Sequence, residues 1–371
     1  MSIKIQRAID KSLGVACFGL GAVSKIFPKF SLKTDKILII KLWAMGESIL
    51  TLPMIKELRK AYPSAKISVL CRERNKDVYT LNPDIDEIIL FEPKNIFGLI
   101  KLFKRFDLVI DCEPYLKTSA LASFYLGKRR IGFSHGARAW MYTDKIDYND
   151  QQHVVDTYLD FLKLLGMQKK ADALVKLCYS SEDKAKVMEM LAPVLKQKKQ
   201  LIGFCAGAAE STRERMWPKE KFAELADRLI KDYDAQVIFI GSKKESELED
   251  SVIQKMKNKH NTVNLAGRTS VKELFALIEM CDLFISNDTG PMHIAAAQGV
   301  RTIGLFGPNT PVRFAPYGKG NIFIYHKIDC SPCINVHKGK VPDCNNKIKG
   351  ECMQKISVDE VLAAVKKCLK K

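Results

Sequence analysis

The sequence predicts an α/β protein with two doubly wound parallel sheets, each sheet forming its own domain. Three observations support this fold class. Short aliphatic segments alternate with amphipathic segments of helical period, which is the pattern of βαβ units. This pattern closes near residue 166 and restarts near residue 199. The chain has 371 residues, more than a single hydrophobic core usually supports.

The first half begins with Lys36–Lys41 (KILIIK), an aliphatic run typical of a buried parallel strand. A helix is predicted from about Leu50 to Tyr62, because its apolar residues recur at helical spacing and Pro53 lies in the tolerant first turn. Further elements of this half are strands at Lys66–Cys71, Ile85–Phe91 and Leu108–Cys112, and a helix at Gln151–Gly166.

The second half repeats the pattern, starting with a strand at Lys199–Cys205 (KQLIGFC). An amphipathic helix follows, marked by apolar residues between Phe222 and Ile230. A final helix at about Ser357–Leu369 has its valines and leucines on one face. Further strands are predicted at Gln236–Gly241, Thr262–Leu265, Leu283–Ser286 and Arg301–Phe306.

The domain boundaries follow from this pattern. We predict an N-terminal amphipathic extension over residues 1–35, a first domain over 36–175 and a second domain over 176–355, joined near Gln168–Ser181. Residues 356–371 form a C-terminal helix that can pack back on the first domain. Ligands of doubly wound sheets lie beyond the carboxyl ends of the strands, so we expect the functional residues in strand-to-helix loops.

Composition and charge narrow the function classes. Hydrophobic residues make up 47% of the chain and no tract is of low complexity, which excludes disordered and collagen-like proteins. The formal net charge of +18 suits a polyanionic partner. Because the lysines are scattered and no nucleic-acid module is recognisable, we expect an anionic membrane surface or a phosphorylated glycolipid, and no nucleic acid.

The apolar segment Leu13–Val23 lies between Lys11 and Lys25. It is shorter than the roughly 20 residues that span a bilayer, and it lacks the small-residue cleavage site of a signal peptide. Two interpretations stay open: a helix docked on the first domain, and an amphipathic helix lying on the inner membrane face.

The eleven cysteines fall into two groups. Their odd number and the chain length argue against a secreted disulfide scaffold. Seven are isolated in apolar or periodic segments, as small core residues of a reducing cytosol would be: Cys17, Cys71, Cys112, Cys178, Cys205, Cys281 and Cys368. The other group contains the CxxC pair Cys330 and Cys333, followed by Cys344 and Cys352. A structural zinc site is one interpretation of these four cysteines, and we assign them no catalytic role.

The strongest local signal for chemistry is the segment Ser286–His293 (SNDTGPMH), where a buried strand ends and a helix of small residues begins. Thr289 is a candidate N-cap, and Pro291 suits the first turn. Free N–H groups at such a helix start can bind a diphosphate, and Gly290 permits close approach of the backbone. The alternative is an ordinary cap in which Asp288 closes the turn.

Two further loops carry candidate residues. The loop Ala206–Pro218 offers small residues, hydroxyls and arginines, which suit a phosphate, although Arg215 by itself is equally a surface charge. Trp217 and Pro218 are interpreted as structural, fixing the entry of the next helix. The turn Gly46–Glu47 places a carboxylate after the first strand, where it either acts as a general base or is a charge at a helix start.

These motifs together resemble glycosyltransferase family nine, the ADP-heptose:lipopolysaccharide heptosyltransferases. The resemblance covers nearly everything from Lys36 onward and rests on the order and spacing of several segments. They are KILIIKLWAMGESILTLP, LNPDIDEIILFE, GKRRIGF (Gly127–Phe133), WPKEKFAELADRL, LAGRTSVKELFALIEMCDLFISNDTGPMHIAAAQGV and GLFGP (Gly304–Pro308). It implies a GT-B fold, in which two Rossmann-like domains face a cleft.

The resemblance also implies roles for residues. Glu47 falls where the family usually has an aspartate as catalytic base, and Arg215 falls where it usually has a lysine beside the donor phosphate. Asp288 would hold the donor sugar. The implied catalytic residues are Glu47, Arg215 and Asp288; the donor-binding residues are Ser211, Thr212, Glu245, Asp288, Thr289, Gly290, Met292 and His293. Acceptor-binding residues are Arg72, Arg129, Arg130 and His135, with Arg74 and Arg138 also considered.

The activity implied is metal-independent, inverting transfer of a heptose or related sugar from an ADP-sugar to a phosphorylated glycolipid of the lipopolysaccharide-core type. No cofactor or metal is expected, and the place of action would be the cytoplasmic face of the bacterial inner membrane. Two other hypotheses stay open: a nucleotide-sugar epimerase on the same scaffold, and a non-catalytic nucleotide-sugar-binding relative.

Overall fold

The computed structural model describes residue 10 and residues 34–92, 95–195, 199–208, 210–335 and 343–369. The chain divides into two compact units, and the break between Ala171 and Asp172 lies inside the predicted linker. We call these units the first and the second domain. Each contains one six-stranded parallel sheet, so the predicted fold class is confirmed.

The sheet of the first domain has the order β3-β2-β1-β4-β5-β6. The chain runs outward from β1 to β3 and then returns to β4 beside β1, so the topological switch point lies between β1 and β4. The strands are β1 (Lys36–Ile40), β2 (Lys66–Cys71), β3 (Glu87–Leu90), β4 (Phe106–Asp111), β5 (Gly127–Phe133) and β6 (Asp144–Ile146). The helices are α1 (Met45–Ile49), α2 (Leu52–Ala61), α3 (Ile96–Ile100), α4 (Lys117–Leu126) and α5 (Val154–Leu159).

The second domain repeats this plan with the order β12-β11-β10-β7-β8-β9, so its switch point lies between β7 and β10. The strands are β7 (Leu201–Cys205), β8 (Gln236–Phe239), β9 (Thr262–Asn264), β10 (Leu283–Asn287), β11 (Arg301–Phe306) and β12 (Ile322–Tyr325). The helices are α6 (Ser181–Leu195), α7 (Lys219–Tyr233), α8 (Ser246–Lys255), α9 (Val271–Glu279), α10 (Gly290–Ala297), α11 (Pro311–Phe314), α12 (Glu351–Gln354) and α13 (Val358–Leu369).

The aliphatic strands are buried on both faces. Residues 37–40 of β1 are fully inaccessible to solvent, as are Ile202 and Phe204 of β7. Helices cover both sides of a parallel sheet, so these central strands contain few polar residues. This burial is why short aliphatic runs in the sequence identify β1 and β7.

One predicted helix differs from the structure. The region Gln151–Gly166 contains the short helix α5 followed by a 3₁₀ turn over Asp160–Leu165, which ends at Gly166 with φ of 75°. The left-handed conformation at Gly166 ends the turn without steric strain. Helix α13 packs on the second domain, where Val361 and Val365 join a buried cluster with Phe222 and Leu229 of α7. Packing of this helix on the first domain stays a prediction from the sequence.

The described part of the chain contains no helix long and apolar enough to cross a membrane. The segment Leu13–Val23 lies outside the described residues. Asp10 is described, and its carboxylate accepts hydrogen bonds from the N–H groups of Lys117 at 2.8 Å and Thr118 at 2.9 Å. It thereby satisfies two backbone donors at the start of α4.

Candidate active site

Three charged side chains meet at the switch point of the first sheet. Lys41 follows β1, Glu113 follows β4, and the pairing of Ile40 with Asp111 brings the two strand ends side by side. The ammonium of Lys41 lies 2.6 Å from Glu47 Oε2 and 3.4 Å from Glu113 Oε1. We call Lys41, Glu47 and Glu113 the Lys41 cluster. The Lys41 and Glu113 side chains are fully buried, and 14% of the Glu47 side chain is exposed.

The backbone around Glu47 is tightly determined. Ala44 adopts φ of 63°, unusual for a residue with a side chain, and starts α1. The Asn75 amide donates to the carbonyl of Lys41 at 3.0 Å and to the hydroxyl of Ser48 at 2.7 Å. These contacts fix both ends of the turn, so Glu47 points back to Lys41.

Electrostatics keep Lys41 charged. Burial alone would lower the pKa of Lys41, but the carboxylates of Glu113 and Glu47 outweigh it and raise that pKa well above its usual value. Burial raises the pKa of Glu113, while Lys41 opposes the shift. Lys41 is therefore a permanent cation between two carboxyl groups of different exposure.

Glu113 also holds the loop that leads to Glu47. Its Oε1 accepts hydrogen bonds from the N–H groups of Leu42 at 2.7 Å and Trp43 at 2.8 Å. Its Oε2 is buried and has no hydrogen-bond partner within the described residues. Lys41 and Glu113 were not predicted from the sequence, although both stand at a strand's carboxyl end, which is the signal that identified Glu47.

The arginines predicted to bind the acceptor are mostly occupied in the fold. Arg72 makes two hydrogen bonds to Glu92 at 3.0 and 3.2 Å. Arg129 pairs with Asp144 at 3.0 Å. Both arginines are thus already paired with a carboxylate of the same domain.

Two more of these arginines are buried. Arg130 is 5% exposed and donates to the carbonyl of Met141 at 2.7 Å. Arg138 is 2% exposed and pairs with Asp111 at 2.9 Å. Both are thus engaged within the first domain, and Arg138 also donates to the carbonyl of Glu113.

His135 and Arg74 differ from these. His135 is partly buried, which lowers its pKa, and its Nε2 bonds with the carbonyl of Pro114. Arg74 is exposed, and its guanidinium lies 4.6 Å from the centre of the Trp43 ring. Trp43 precedes α1, so this cation and aromatic face belong to the loop that carries Glu47.

The predicted donor loops of the second domain meet at its switch point. Arg215 Nη1 lies 3.0 Å from Asp288 Oδ2 and donates to the Asp288 carbonyl at 3.1 Å. Asn309 donates to the same carboxylate oxygen at 2.7 Å. The sequence predicted Arg215 and Asp288 at one site, and the structure brings them together. Asp288 therefore pairs with a cation and does not close the turn.

Asn287 joins the same two loops. Its side-chain oxygen accepts from the N–H of Trp217 at 3.0 Å, and its side-chain nitrogen donates to the carbonyl of Ala206 at 2.8 Å. Trp217 is buried against Phe222, and its ring nitrogen donates to the carbonyl of Ile356 at 3.0 Å. The structural interpretation of Trp217 is confirmed.

Helix α10 begins where the sequence places it. Thr289 is its N-cap residue but forms no side-chain cap, because its hydroxyl pairs instead with that of Ser286 at 3.1 Å. The N–H groups that start at Gly290 thus donate no hydrogen bond to this side chain. Met292 and His293 are buried, at 0% and 4% exposure.

Glu245 and Glu249 lie beneath the loop after β7. Glu245 accepts from the N–H of Ser242 at 2.7 Å, and a side chain at Gly207 would come within 2.5 Å of its other oxygen. Glu249 is fully buried and accepts from the N–H groups of Ala206 and Gly207, both at 3.1 Å. Burial raises the pKa of Glu249 to about 8.

Glu249 was not predicted from the sequence, although a carboxylate three residues before buried Val252 on the same helix face was a usable signal. The side chains of Ser211 and Thr212 lie outside the described part of the structure.

The cysteines form no disulfide among the described residues. Cys71, Cys112, Cys205, Cys281 and Cys368 are buried, Cys178 is partly buried, and Cys17 lies outside the described part. Cys330, Cys333, Cys344 and Cys352 line one small pocket. Within the described ranges, no group of three or more histidine, cysteine or acidic side chains is arranged to hold a metal ion.

The matching family and the similar sequences are both described as heptosyltransferases. Residues 101–341 match the family described as glycosyltransferase family 9 (heptosyltransferase). The lipopolysaccharide core heptosyltransferase OpsX of Haemophilus influenzae is 27% identical over 353 residues, covering 92% of this chain and 99% of that protein. Lipopolysaccharide heptosyltransferase 2 of Escherichia coli is 27% identical over 296 residues, covering 74% and 84% of the two chains.

Solved structures show the same fold. The glycosyl transferase family 9 protein from Veillonella parvula has a TM-score of 0.76 at 27% identity, covering 92% of this chain and 98% of that chain. The Escherichia coli ADP-heptose heptosyltransferase II has a TM-score of 0.72 at 22% identity, covering 90% and 98%. The Escherichia coli heptosyltransferase WaaC with ADP-2-deoxy-2-fluoro heptose has a TM-score of 0.66 at 19% identity, covering 89% and 99%.

Proposed function

This chain belongs to glycosyltransferase family 9 and has the GT-B fold, and on that premise we propose that it transfers heptose from ADP-heptose to a lipopolysaccharide-core acceptor. One observation carries the proposal. Each sheet presents half of the required chemistry at its switch point: the carboxylate of Glu47 in the first domain, and Arg215 with Asp288 beside the start of α10 in the second.

The proposed reaction is a single displacement. Glu47 accepts the proton of the acceptor hydroxyl, whose oxygen attacks the anomeric carbon of the donor sugar. The bond from that carbon to the diphosphate oxygen breaks on the opposite side, and ADP leaves. The product is a glycoside of inverted configuration.

In this proposal, groups of the second domain stabilise the negative charge on the departing diphosphate. Arg215 supplies a guanidinium, which suits phosphate oxygens, and the N–H groups from Gly290 onward supply oriented dipoles. Such fixed groups stabilise charge as it develops, so we propose that transfer is metal-independent. Asp288 would orient the donor sugar, with Thr289 beside it. The buried side chains of Met292 and His293 would support the start of α10. Glu245, beside Gly207, would hold the ribose, and Ser211 and Thr212 would contact phosphate.

ADP-heptose is proposed because solved structures of similar fold carry ADP or an ADP-heptose analogue in their names. The acceptor is proposed from the relatives named as lipopolysaccharide core heptosyltransferases. We propose that the first domain holds this acceptor and that Arg74, stacked on Trp43 beside Glu47, contributes to its phosphate contacts. The other proposed acceptor residues are Arg72, Arg129, Arg130 and His135. Each of them also has a hydrogen-bond partner within the first domain. Action at the inner face of the bacterial inner membrane suits the net charge of +18.

The test is a transfer assay with the purified chain, ADP-heptose and a heptose-deficient lipopolysaccharide-core acceptor. We expect ADP release and a heavier glycolipid only when both substrates are present, with inverted configuration at the new bond. ADP-mannose and UDP-glucose serve as comparison donors. Conversion of ADP-heptose to another nucleotide sugar without acceptor would indicate an epimerase, and tight binding without any transfer would indicate a non-catalytic relative.

A further inference from the structure

Helix α3 and the turn after it expose two large apolar side chains. Ile100 is 53% exposed and Phe103 is 60% exposed, although their neighbours Leu99 and Leu102 pack into the core of the first domain. Single exposed apolar residues are common on protein surfaces, but an apolar patch with a polar rim marks a place of interaction. The surroundings of Ile100 and Phe103 decide which of the two applies.

Tyr125 of α4 joins the two side chains into one patch. The centre of its ring lies 5.0 Å from the centre of the Phe103 ring, and its hydroxyl donates to the carbonyl of Ile100 at 2.6 Å. The ammonium of Lys104 donates to the carbonyl of Gly127 at 2.9 Å, directly after α4. These contacts hold the turn against α4, so the outward position of Phe103 belongs to the fold.

The rim of the patch is basic. Residues 95–106 contain three basic side chains and no acidic one. Lys101 and Arg105 are exposed, and neither forms an ion pair with another described residue. We call the following residues the Phe103 patch: Ile100, Lys101, Phe103, Arg105 and Tyr125.

The acidic residues near Arg105 have other partners. Asp107, two residues further along the chain, is paired with Lys128 at 2.9 Å. Glu87, whose carboxylate also interacts with Arg105, is paired with Lys66 at 3.0 Å. The cations of the patch are therefore available to an external anion.

We propose that the Phe103 patch is a docking surface for an anionic lipid leaflet. Phe103 and Ile100 enter the headgroup region, and Lys101 and Arg105 contact lipid phosphates. A leaflet offers apolar chains and negative charge to the same small area, and aromatic residues suit that boundary. A second copy of the chain fits less well, because two such patches face to face would bring like charges together. The inference rests on the proposed function for the nature of the acceptor, a glycolipid presented at a membrane.

The first test is sedimentation of the full chain with vesicles of equimolar phosphatidylglycerol and phosphatidylcholine. The double variant Ile100→Ser/Phe103→Ser removes both apolar side chains and keeps the cations, so we expect binding to weaken roughly tenfold. The double variant Lys101→Gln/Arg105→Gln keeps the apolar pair, and we expect a loss of about tenfold with a flatter salt dependence. Phe323→Ser is the matched control, because Phe323 is 50% exposed on β12 of the second domain. It should leave binding unchanged.

A second measurement locates the contact without weakening it. The tryptophan introduced by Phe103→Trp should be quenched by phospholipids brominated on their acyl chains, relative to the fluorescence of the wild type. Phe323→Trp should show no such additional quenching. Both changes replace one exposed aromatic ring by another, so the fold should be kept.

Three outcomes would overturn the proposal. Two are unchanged vesicle binding of Ile100→Ser/Phe103→Ser, and additional quenching that is absent from Phe103→Trp or equal in both tryptophan variants. The third is a wild-type dimer that Ile100→Ser/Phe103→Ser converts to a monomer, since a second copy would then cover the patch. These measurements need no turnover. A chain that docks through the patch but transfers no sugar would refute the proposed function and leave the docking surface in place.

Discussion

Glu47 stands at the boundary between a buried ion pair and the solvent. Its carboxylate lies 2.6 Å from a fully buried ammonium, yet 14% of its side chain remains exposed. A cation at this distance orients the carboxylate, while the exposed part leaves a lone pair for a proton. This combination of orientation and access is what a general base requires.

The residue-scale prediction for the base concerns Glu47→Gln. The amide oxygen can still accept a hydrogen bond from Lys41. The amide cannot take the proton from the hydroxyl of the acceptor substrate, so we expect kcat to fall roughly 10²–10⁴-fold. The affinity for ADP-heptose, measured by calorimetry, should stay within about twofold, because the donor is proposed to bind the other domain. Recovery of full activity in Glu47→Gln would rule this residue out as the base.

The prediction for the donor site concerns Arg215, which pairs with Asp288 at 3.0 Å. Arg215→Met removes the cation proposed to stabilise the departing diphosphate, and we expect kcat to fall roughly 10²–10³-fold. Arg215→Lys, which matches the family's usual residue, should recover part of this loss but not the guanidinium's fork of hydrogen bonds. Equal activity of the methionine and lysine variants would show that charge at this position does not matter.

At the scale of elements, the loop after β7 depends on a carboxyl group inside α8. Glu249 accepts hydrogen bonds from two successive N–H groups of that loop, at Ala206 and Gly207. Its pKa is raised to about 8 by burial, well above the ordinary value of about 4.3. The folded protein therefore holds a proton there that the unfolded chain releases.

This difference predicts a pH-dependent stability. Between about pH 4.3 and 8 the native state binds more protons at Glu249 than the unfolded state, so its contribution to stability falls as the pH rises. Glu249→Gln stays neutral and keeps an oxygen for both N–H groups. We expect the variant to gain in melting temperature relative to the wild type on going from pH 5 to pH 8. A constant difference between the two proteins at all pH values would contradict this expectation.

Elements were predictable where burial imposes a pattern. β2 and β11 have the bounds predicted, because each is an aliphatic strand covered on both faces. β5 (GKRRIGF) was recognised only as a family motif, since its charged residues hide the strand pattern. These side chains have tertiary partners: Asp144 pairs with Arg129, and backbone carbonyls accept hydrogen bonds from Arg130. Local periodicity contains no information about such partners.

At the scale of the whole molecule, the net positive charge is the property that bears most on partner binding. A formal net charge of +18 creates a field that attracts anionic surfaces before any specific contact forms. The proposed glycolipid acceptor would be presented at such a surface, so the charge would raise the local concentration of protein and acceptor together.

The corresponding prediction uses vesicles. The chain should sediment with vesicles containing phosphatidylglycerol and should not sediment with pure phosphatidylcholine vesicles. Raising the salt from about 0.1 M to about 1 M shortens the Debye length from about 10 to about 3 Å, so this binding should be lost. Salt-resistant binding to neutral vesicles would instead indicate insertion of an apolar segment, for which Leu13–Val23 is the candidate.

The sequence by itself determined the two parallel sheets, the loops that carry the candidate site, and the family, because alternating hydrophobic patterns and ordered motifs are local properties of the chain. Only the tertiary structure decided which charges pair. Arg215 and Asp288 are 73 residues apart, and Glu113 binds a loop 71 residues away. Arg74 and Arg130 are one residue type, yet one is exposed on Trp43 and the other is buried among carbonyls. Electrostatic energy depends on distance and on exclusion of water, and sheet register and packing fix both.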